Sequence, residues 1–214
     1  MTSSSFADVE FVVRTIAQTA VDNEKYFGDL DAVVGDGDFG YSLARGFEIV
    51  LSGWDGVDRT DVGTFLRKIA LIITSRIGGT SGPIWGTAFL RAGTTAGDKT
   101  ELEPRDAVRM LRAAIDGIKA RGQAELGDKT LLDSLVPATD RLATEIAAGS
   151  GAEATLQAVA NTARTCAEET KSLQAKRGRA SYSGERSIGS VDAGAMAVAV
   201  IFEAIAKEWP NRSR

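Results

Sequence analysis

The stretch Leu30 to Ser42, LDAVVGDGDFGYS, admits two folds. Read as G-x-G-x-x-G through Gly35, Gly37 and Gly40, it would be the strand-to-helix turn of a dinucleotide fold, with Asp55 or Asp58 as the ribose acid. That reading aims the carboxylates of Asp36 and Asp38 at a pyrophosphate, and no strand-helix alternation comes after it. Read as a link between two helices, the same residues gather Asp31, Asp36 and Asp38 in one Gly-broken segment. Carboxylates about 4 Å apart at an effective dielectric near 20 repel by roughly 4 kcal/mol per pair. A fold that holds three of them together needs a cation or raised pKa values, and a hard divalent cation with oxygen ligands is the simplest answer. From this stretch alone, a solvated loop with splayed carboxylates reads equally well.

Helical periodicity on both sides favours the second reading. Phe6, Val9, Val13, Ile16 and Ala20 recur at three and four residues behind Ser5, a candidate N-cap, and define a first helix ending near Phe27 and Gly28. Tyr41 to Leu51 is a second. Thr60 or Asp61 caps a third, with Val62, Phe65, Leu66, Ile69, Ile72 and Ile73 on one face up to Gly78. The β-branched run from Ile69 to Thr74 suits a buried strand, but its flanks continue the helical period. Ser81 to Ala96 is a fourth helix with Pro83 in its first turn, and Pro104 to Gly122 a fifth. Thr130 to Ala148 is a sixth, with a kink expected at Pro137; Ala152 to about Lys176 is a seventh and Asp192 to Trp209 an eighth. Hairpin dipeptides and alternating strand patterns do not accumulate, so the expected fold is all-α: a single domain over residues 1–214, as an eight-helix antiparallel up-and-down barrel or bundle.

Composition narrows the chemistry. The chain has 214 residues, 43% hydrophobic and 25% charged, as in ordinary soluble globular proteins. A net charge of -4 and no basic run longer than Lys176-Arg177 leave no footprint for nucleic acid. The opening MTSSSFADVE is not a secretory signal, and no apolar run approaches a membrane span, so a cytoplasmic location is expected. The absence of histidine excludes Ser-His-Asp and Cys-His catalysis and His-ligated zinc. The lone Cys166 reads as a small core residue, with no histidine to activate it. Lys129 is no Schiff-base candidate, because Asp128 beside it would favour its charged form.

Up-and-down topology then predicts where the loops meet. Links after helices one, three, five and seven share one end: LDAVVGDGDFG, RIGGTSG, RGQAELGDKT and KRGRASYSGERSIGSVDAG. Helices two, four, six and eight begin there and direct their N-terminal N–H groups to it. A helix start at Gly79-Thr80-Ser81-Gly82 suits phosphate, and three aspartates suit the metal bridging phosphate oxygens, which together ask for Mg²⁺ with a polyphosphate nucleotide. Competing motifs fail. Gly122 to Thr130 resembles a P-loop spoiled by Asp128 and comes after a helix, and an EF-hand from Asp36 would put Gly40 and Phe47 at ligand positions.

The four segments LDAVVGDGDFG, GGTSGPIWGTAFL, GDKTLLDSLVPA and GRASYSGERSIGSVDAGA, in this order, resemble the signatures of the L subunit, or nucleotide-binding domain, of the dihydroxyacetone kinase family. The resemblance implies an eight-helix antiparallel barrel with the nucleotide at one end. It also implies that Asp31, Asp36 and Asp38 ligate two Mg²⁺ ions and that Thr80 and Ser81 contact phosphate. Phe39, Gly40, Tyr41, Ser42, Gly122, Leu131, Arg179, Asp192, Ala193 and Gly194 would surround ADP or ATP. No catalytic residue is expected on this chain, since the family holds its sugar covalently on a histidine of a separate K subunit. The family also implies a phosphotransferase-system phosphoryl donor as a further partner in one branch, with ATP exchange in the other, and a homodimer stays open. Three departures stand at the nucleotide end: Phe39 replaces a usual histidine, Tyr41-Ser42-Leu43 a more polar stretch, and Ser190-Val191 with Ala193 a segment usually reading His-Gln-Asp-Pro. The expected function is thus a Mg-nucleotide-binding kinase subunit for dihydroxyacetone or a related short ketose. The alternatives are a non-catalytic nucleotide-binding module that regulates a partner protein, and a free-standing hydrolase.

Overall fold

The structure, a computed structural model, describes residues 5–212; the first four residues of the N-terminal MTSSSFADVE lie outside them. Among the described residues it is helical, with α1 at Phe6–Asp22, α2 at Glu24–Asp31, α3 at Phe39–Ser52, α4 at Val62–Arg76, α5 at Ser81–Ala96, α6 at Pro104–Gly122, α7 at Leu132–Ala147, α8 at Ala152–Glu169 and α9 at Ala193–Glu208. Local signals set many of these bounds. Ser5 and Asp8 form a reciprocal capping box at α1, and the Asp61 carboxylate accepts the Thr64 N–H at the start of α4. Pro104 opens α6, where its missing N–H has no helical partner to lose.

Consecutive helices pack on one another, and α9 returns to α1 and α2, so the chain closes into a barrel. Phe27, Phe47, Phe65, Ile69 and Ile73 fill its apolar interior without exposure. On the side of α7, α8 and α9 the core turns small, with Ala138, Ala163, Ala167, Ala195 and Ala199 letting those helices approach closely. An apolar cavity of about 310 Å³ remains inside, bounded by Val13, Leu66, Phe89, Leu111 and Ile201 among others.

Several helix bounds differ from the sequence expectation. The first helix does not stop at Gly28; it breaks at Asn23, whose side-chain amide donates to the Thr19 carbonyl, and resumes as α2 as far as Asp31. Gly28 serves helix contact instead of termination: a Cβ on Gly40, in the first turn of α3, would lie 2.0 Å from the Glu24 carbonyl oxygen and 2.5 Å from the Gly28 nitrogen. The barrel therefore keeps the expected eight-fold arrangement with its first member in two pieces. The helix expected as the seventh, α8, ends at Glu169, short of Lys176, because buried Thr170 turns its hydroxyl back to the Ala167 carbonyl and also receives the Asp192 N–H. Beyond that end the chain forms a strap, residues 173–191, built of loop and a run of 3-10 turns at Arg179–Ser187 that bends at Gly184. Helix α7 runs through Pro137 and begins at Leu132, two residues after the expected Thr130.

Candidate functional site

The four motif-bearing links meet at one end of the barrel around an open cavity of about 950 Å³. One wall is anionic. Asp31 is the last residue of α2, Asp36 lies in the turn after it, and Asp38 immediately precedes α3. Each offers a carboxylate oxygen, and the three oxygens lie within 4.8 Å of one another. Gly35 permits this crowding, since a Cβ there would stand 2.3 Å from the Asp31 carboxylate, and Gly37 takes a left-handed φ of 76°. Burial pushes the half-buried Asp31 carboxyl above its ordinary value, backbone N–H groups of Phe39 and Gly37 oppose the rise, and the charges of Asp36 and Asp38 add to it. Three hard oxygen donors that repel one another fit a divalent cation such as Mg²⁺.

The opposite walls carry donors. Gly78, Gly79, Thr80 and Ser81 line the cavity at the N-terminus of α5, and Asp192, Ala193 and Gly194 line it at the N-terminus of α9. The strap brings Arg179, whose Nε lies 3.0 Å from Asp36 Oδ2, and Ser183, whose hydroxyl donates to the Val34 carbonyl at 3.0 Å. Ile84, Trp85, Ile118, Gly122, Ala124 and Leu131 make an apolar side of the same cavity. Asp192 is half-buried in the cavity wall: burial pushes its carboxyl up to about 7, the Ala195 N–H that it caps opposes the rise, and nearby Asp133 adds to it against Lys129.

Of the residues singled out in the sequence, Asp31, Asp36, Asp38, Phe39, Thr80, Ser81, Gly122, Leu131, Arg179, Asp192, Ala193 and Gly194 share this one cavity. Gly40, Tyr41 and Ser42 stand behind its wall. Gly40 is buried against α2, Tyr41 is exposed under the Arg45 guanidinium 5.3 Å from its ring, and the Ser42 N–H donates to the Asp38 carbonyl. Sequence reasoning passed over Trp85, Thr130, Lys176, Arg177 and Ser183, which line or brace the cavity; position in the motif links was the available signal for all but Trp85.

It also misjudged Lys129. Its sequence neighbour Asp128 turns its carboxylate to Lys176 at 3.2 Å and Arg177 at 3.5 Å, and burial, not that neighbour, governs the Lys129 ammonium. Burial pushes its pKa down, with Asp192 opposing.

Fold and site together define an end-loaded helical barrel whose pocket has one anionic wall and facing walls of helix N-termini and basic side chains. Residues 33–207 match the DAK2 domain. The ADP-binding subunit DhaL of the PEP-dependent dihydroxyacetone kinase of Escherichia coli K12 is 36% identical over 182 residues, covering 85% of this chain and 87% of that one. The L-erythrulose 1-kinase of Mycolicibacterium smegmatis is 37% identical over 196 residues, which take up 91% of this chain and 34% of that protein. The dihydroxyacetone kinase of C. freundii, solved in complex with AMP-PNP and Mg²⁺, superimposes with a TM-score of 0.75 at 28% identity over 97% of this chain and 35% of that one. The chain belongs to the DAK2 domain family and is of the L-subunit type, as the resemblance of its four loops implied.

Proposed function

We propose that this chain is the Mg-nucleotide-binding subunit of a kinase for dihydroxyacetone or a related short ketose, and that it works with a separate K-type subunit that holds the sugar covalently. The observation that carries the reading is the cavity that the Asp31, Asp36 and Asp38 carboxylates line together with the α5 N-terminus and Arg179, whose Nε lies 3.0 Å from Asp36 Oδ2. The aspartates would hold Mg²⁺, two ions in this reading, and the metal would supply charge neutralisation of the phosphoryl group in transfer. Thr80 and Ser81, with the free N–H groups of the α5 first turn, would bind phosphate oxygens; Arg179 would add a guanidinium; Leu131, Ile84 and Ile118 would take the base. Phosphoryl transfer asks mainly for positioning and electrostatic stabilisation, and these groups provide both.

Among the described residues the cavity walls offer neither a carbonyl-capturing nucleophile nor a free base for the acceptor hydroxyl, since the clustered aspartates are assigned to metal, Asp192 is engaged as the α9 cap by the Ala195 N–H, and the Lys129 ammonium is held by three backbone carbonyls. Both fall to the K subunit in this reading, and no helix of the described residues is long and apolar enough to cross a membrane, in keeping with a cytoplasmic pair. The test incubates the purified chain with Mg-ATP and dihydroxyacetone or erythrulose, with and without a cognate K subunit, and tracks sugar phosphate by mass spectrometry. Product is expected only with the partner. Product from the chain alone would overturn the division of labour, and phosphate release without sugar phosphate would favour a hydrolase. Nucleotide released on denaturing the purified chain separates the two donors: retained ADP points to recharging by a phosphotransferase-system donor, and its absence to exchange with ATP.

A further inference from the structure

Lys129 is buried to 2% exposure, at a left-handed φ of 62° that costs an L side chain roughly 1 kcal/mol. Nothing in the proposed binding of nucleotide uses it. Its ammonium donates to three backbone carbonyls, those of Leu173 at 3.0 Å, Ser187 at 2.5 Å and Ser190 at 2.7 Å. All three belong to the strap, and between them lies Arg179.

An ammonium has three N–H donors and no acceptor, so three converging carbonyls satisfy it completely, which a buried charge requires. The strap needs it in return. Its 3-10 turns leave carbonyls without regular helical partners, and a methylene chain in place of the ammonium would strand those of Leu173 and Ser190 and leave that of Ser187 only the Ser190 hydroxyl at 3.0 Å. Other ties between the same two segments run alongside: the Asp128 carbonyl accepts the Lys176 N–H at 3.0 Å, and the Asp128 carboxylate pairs with Lys176 and Arg177. Ser187, itself fully buried, accepts the Ala175 N–H and donates to the Gly184 carbonyl, so the carbonyls that Lys129 gathers belong to an ordered turn.

We propose that Lys129 is a positioning residue for the nucleotide pocket: its ammonium clamps the strap at Leu173, Ser187 and Ser190 and so aims Arg179 at the aspartate cluster. This rests on the function proposed above for the site. The clamp behaves as a built-in monovalent cation, which gives it a signature that ordinary core packing lacks. In Lys129→Ala the carbonyl cage persists while its cation is removed, and a small alkylammonium ion can enter the space.

The experiment compares full-length wild type, Lys129→Ala and the volume-conserving Lys129→Met. It reads Mg-ADP affinity by calorimetry and backbone exchange by hydrogen-deuterium mass spectrometry, with sodium, ethylammonium or tetramethylammonium chloride at equal ionic strength. Expected results are a tenfold or greater loss of Mg-ADP affinity in both variants and faster exchange confined to residues 173–190. Ethylammonium restores both in Lys129→Ala saturably, and tetramethylammonium, which has no N–H, does not. Wild-type affinity in a folded Lys129→Ala would overturn the proposal, as would loss of protection throughout the barrel without amine rescue. Failure of both variants to fold would assign Lys129 to the core and overturn it as well. If wild type itself binds no Mg-ADP, the functional reading fails separately; amine-dependent protection of the strap then still decides the clamp, and its absence refutes it.

Discussion

Arg179 Nε lies 3.0 Å from Asp36 Oδ2, so one member of the aspartate cluster is paired with a cation carried by the strap. The two side chains are 64% and 37% exposed, which limits the pair to about 1 kcal/mol or less. A divalent ion bound at the proposed site would therefore displace the guanidinium easily, and the released Arg179 would remain beside the phosphates the ion would bring.

Replacing Arg179 by Gln separates these two roles. Metal alone should bind up to severalfold more tightly, because Asp36 loses a competing partner, whereas Mg-ADP should bind about tenfold more weakly, because a charge-assisted contact is lost. Calorimetric titration with Mg²⁺ and then with ADP at fixed Mg²⁺ reads both signs. Unchanged values in both titrations would remove Arg179 from the site.

Asp36→Ala and Asp38→Ala should abolish Mg²⁺-dependent ADP binding while leaving the helical circular dichroism intact, since both residues are exposed and outside the core. Ligand that binds only the folded state contributes about 2.7 kcal/mol at a hundredfold excess over its dissociation constant. Mg-ADP should accordingly raise the melting temperature of wild type by several degrees, EDTA should cancel the gain, and neither variant should respond. A ligand-induced shift retained in either variant would count against the metal assignment.

Two carboxylates give stability opposite pH trends. Burial pushes the Asp106 carboxyl up, but hydrogen bonds from Lys99, Arg109 and the Glu103 N–H outweigh it and hold the pKa at about 2. Its contribution is present above the ordinary 3.8 and is lost as pH falls through about 2. Asp192 is the reverse: raised to about 7, it keeps in the folded state a proton that the unfolded chain releases near 3.8. Stability should therefore fall as pH rises from about 3.8 to 7, by at most about 1.4 kcal/mol per unit from this group. Asp192→Asn, which can still cap Ala195, should flatten that slope in urea unfolding series, and a slope unchanged from wild type would show that Asp192 titrates elsewhere.

Gly40→Ala should push α3 off α2, with a cost of about 1–3 kcal/mol from overpacking and weaker Mg²⁺ binding, because Asp31 and Asp38 flank the contact. Gly56→Ala, where a Cβ meets nothing within 4 Å, is the control and should stay near wild type. Equal melting temperatures for the two variants would contradict the close-contact role of Gly40.

Much of this protein is written locally. Periodicity, Pro104 and the closing glycine fixed α6 at Pro104–Gly122, and the same kind of signal fixed α5 at Ser81–Ala96, because helix bounds answer to residues within a turn or two. Alternation of eight helices then placed four links at one end, and their motifs carried the family. Other features depended on residues distant in the chain. Gly28 reads as a helix stop until Gly40 is seen pressed against it, and Asp31 reads as a loop residue until α2 is seen to continue beneath it. The acceptors of Lys129 lie 44, 58 and 61 residues away, so sequence proximity suggested Asp128 as its electrostatic neighbour, and only the packed strap showed three carbonyls there instead. Helix formation is decided by hydrogen bonds four residues apart; the partner of a buried charge is decided by which loops the closed barrel brings together.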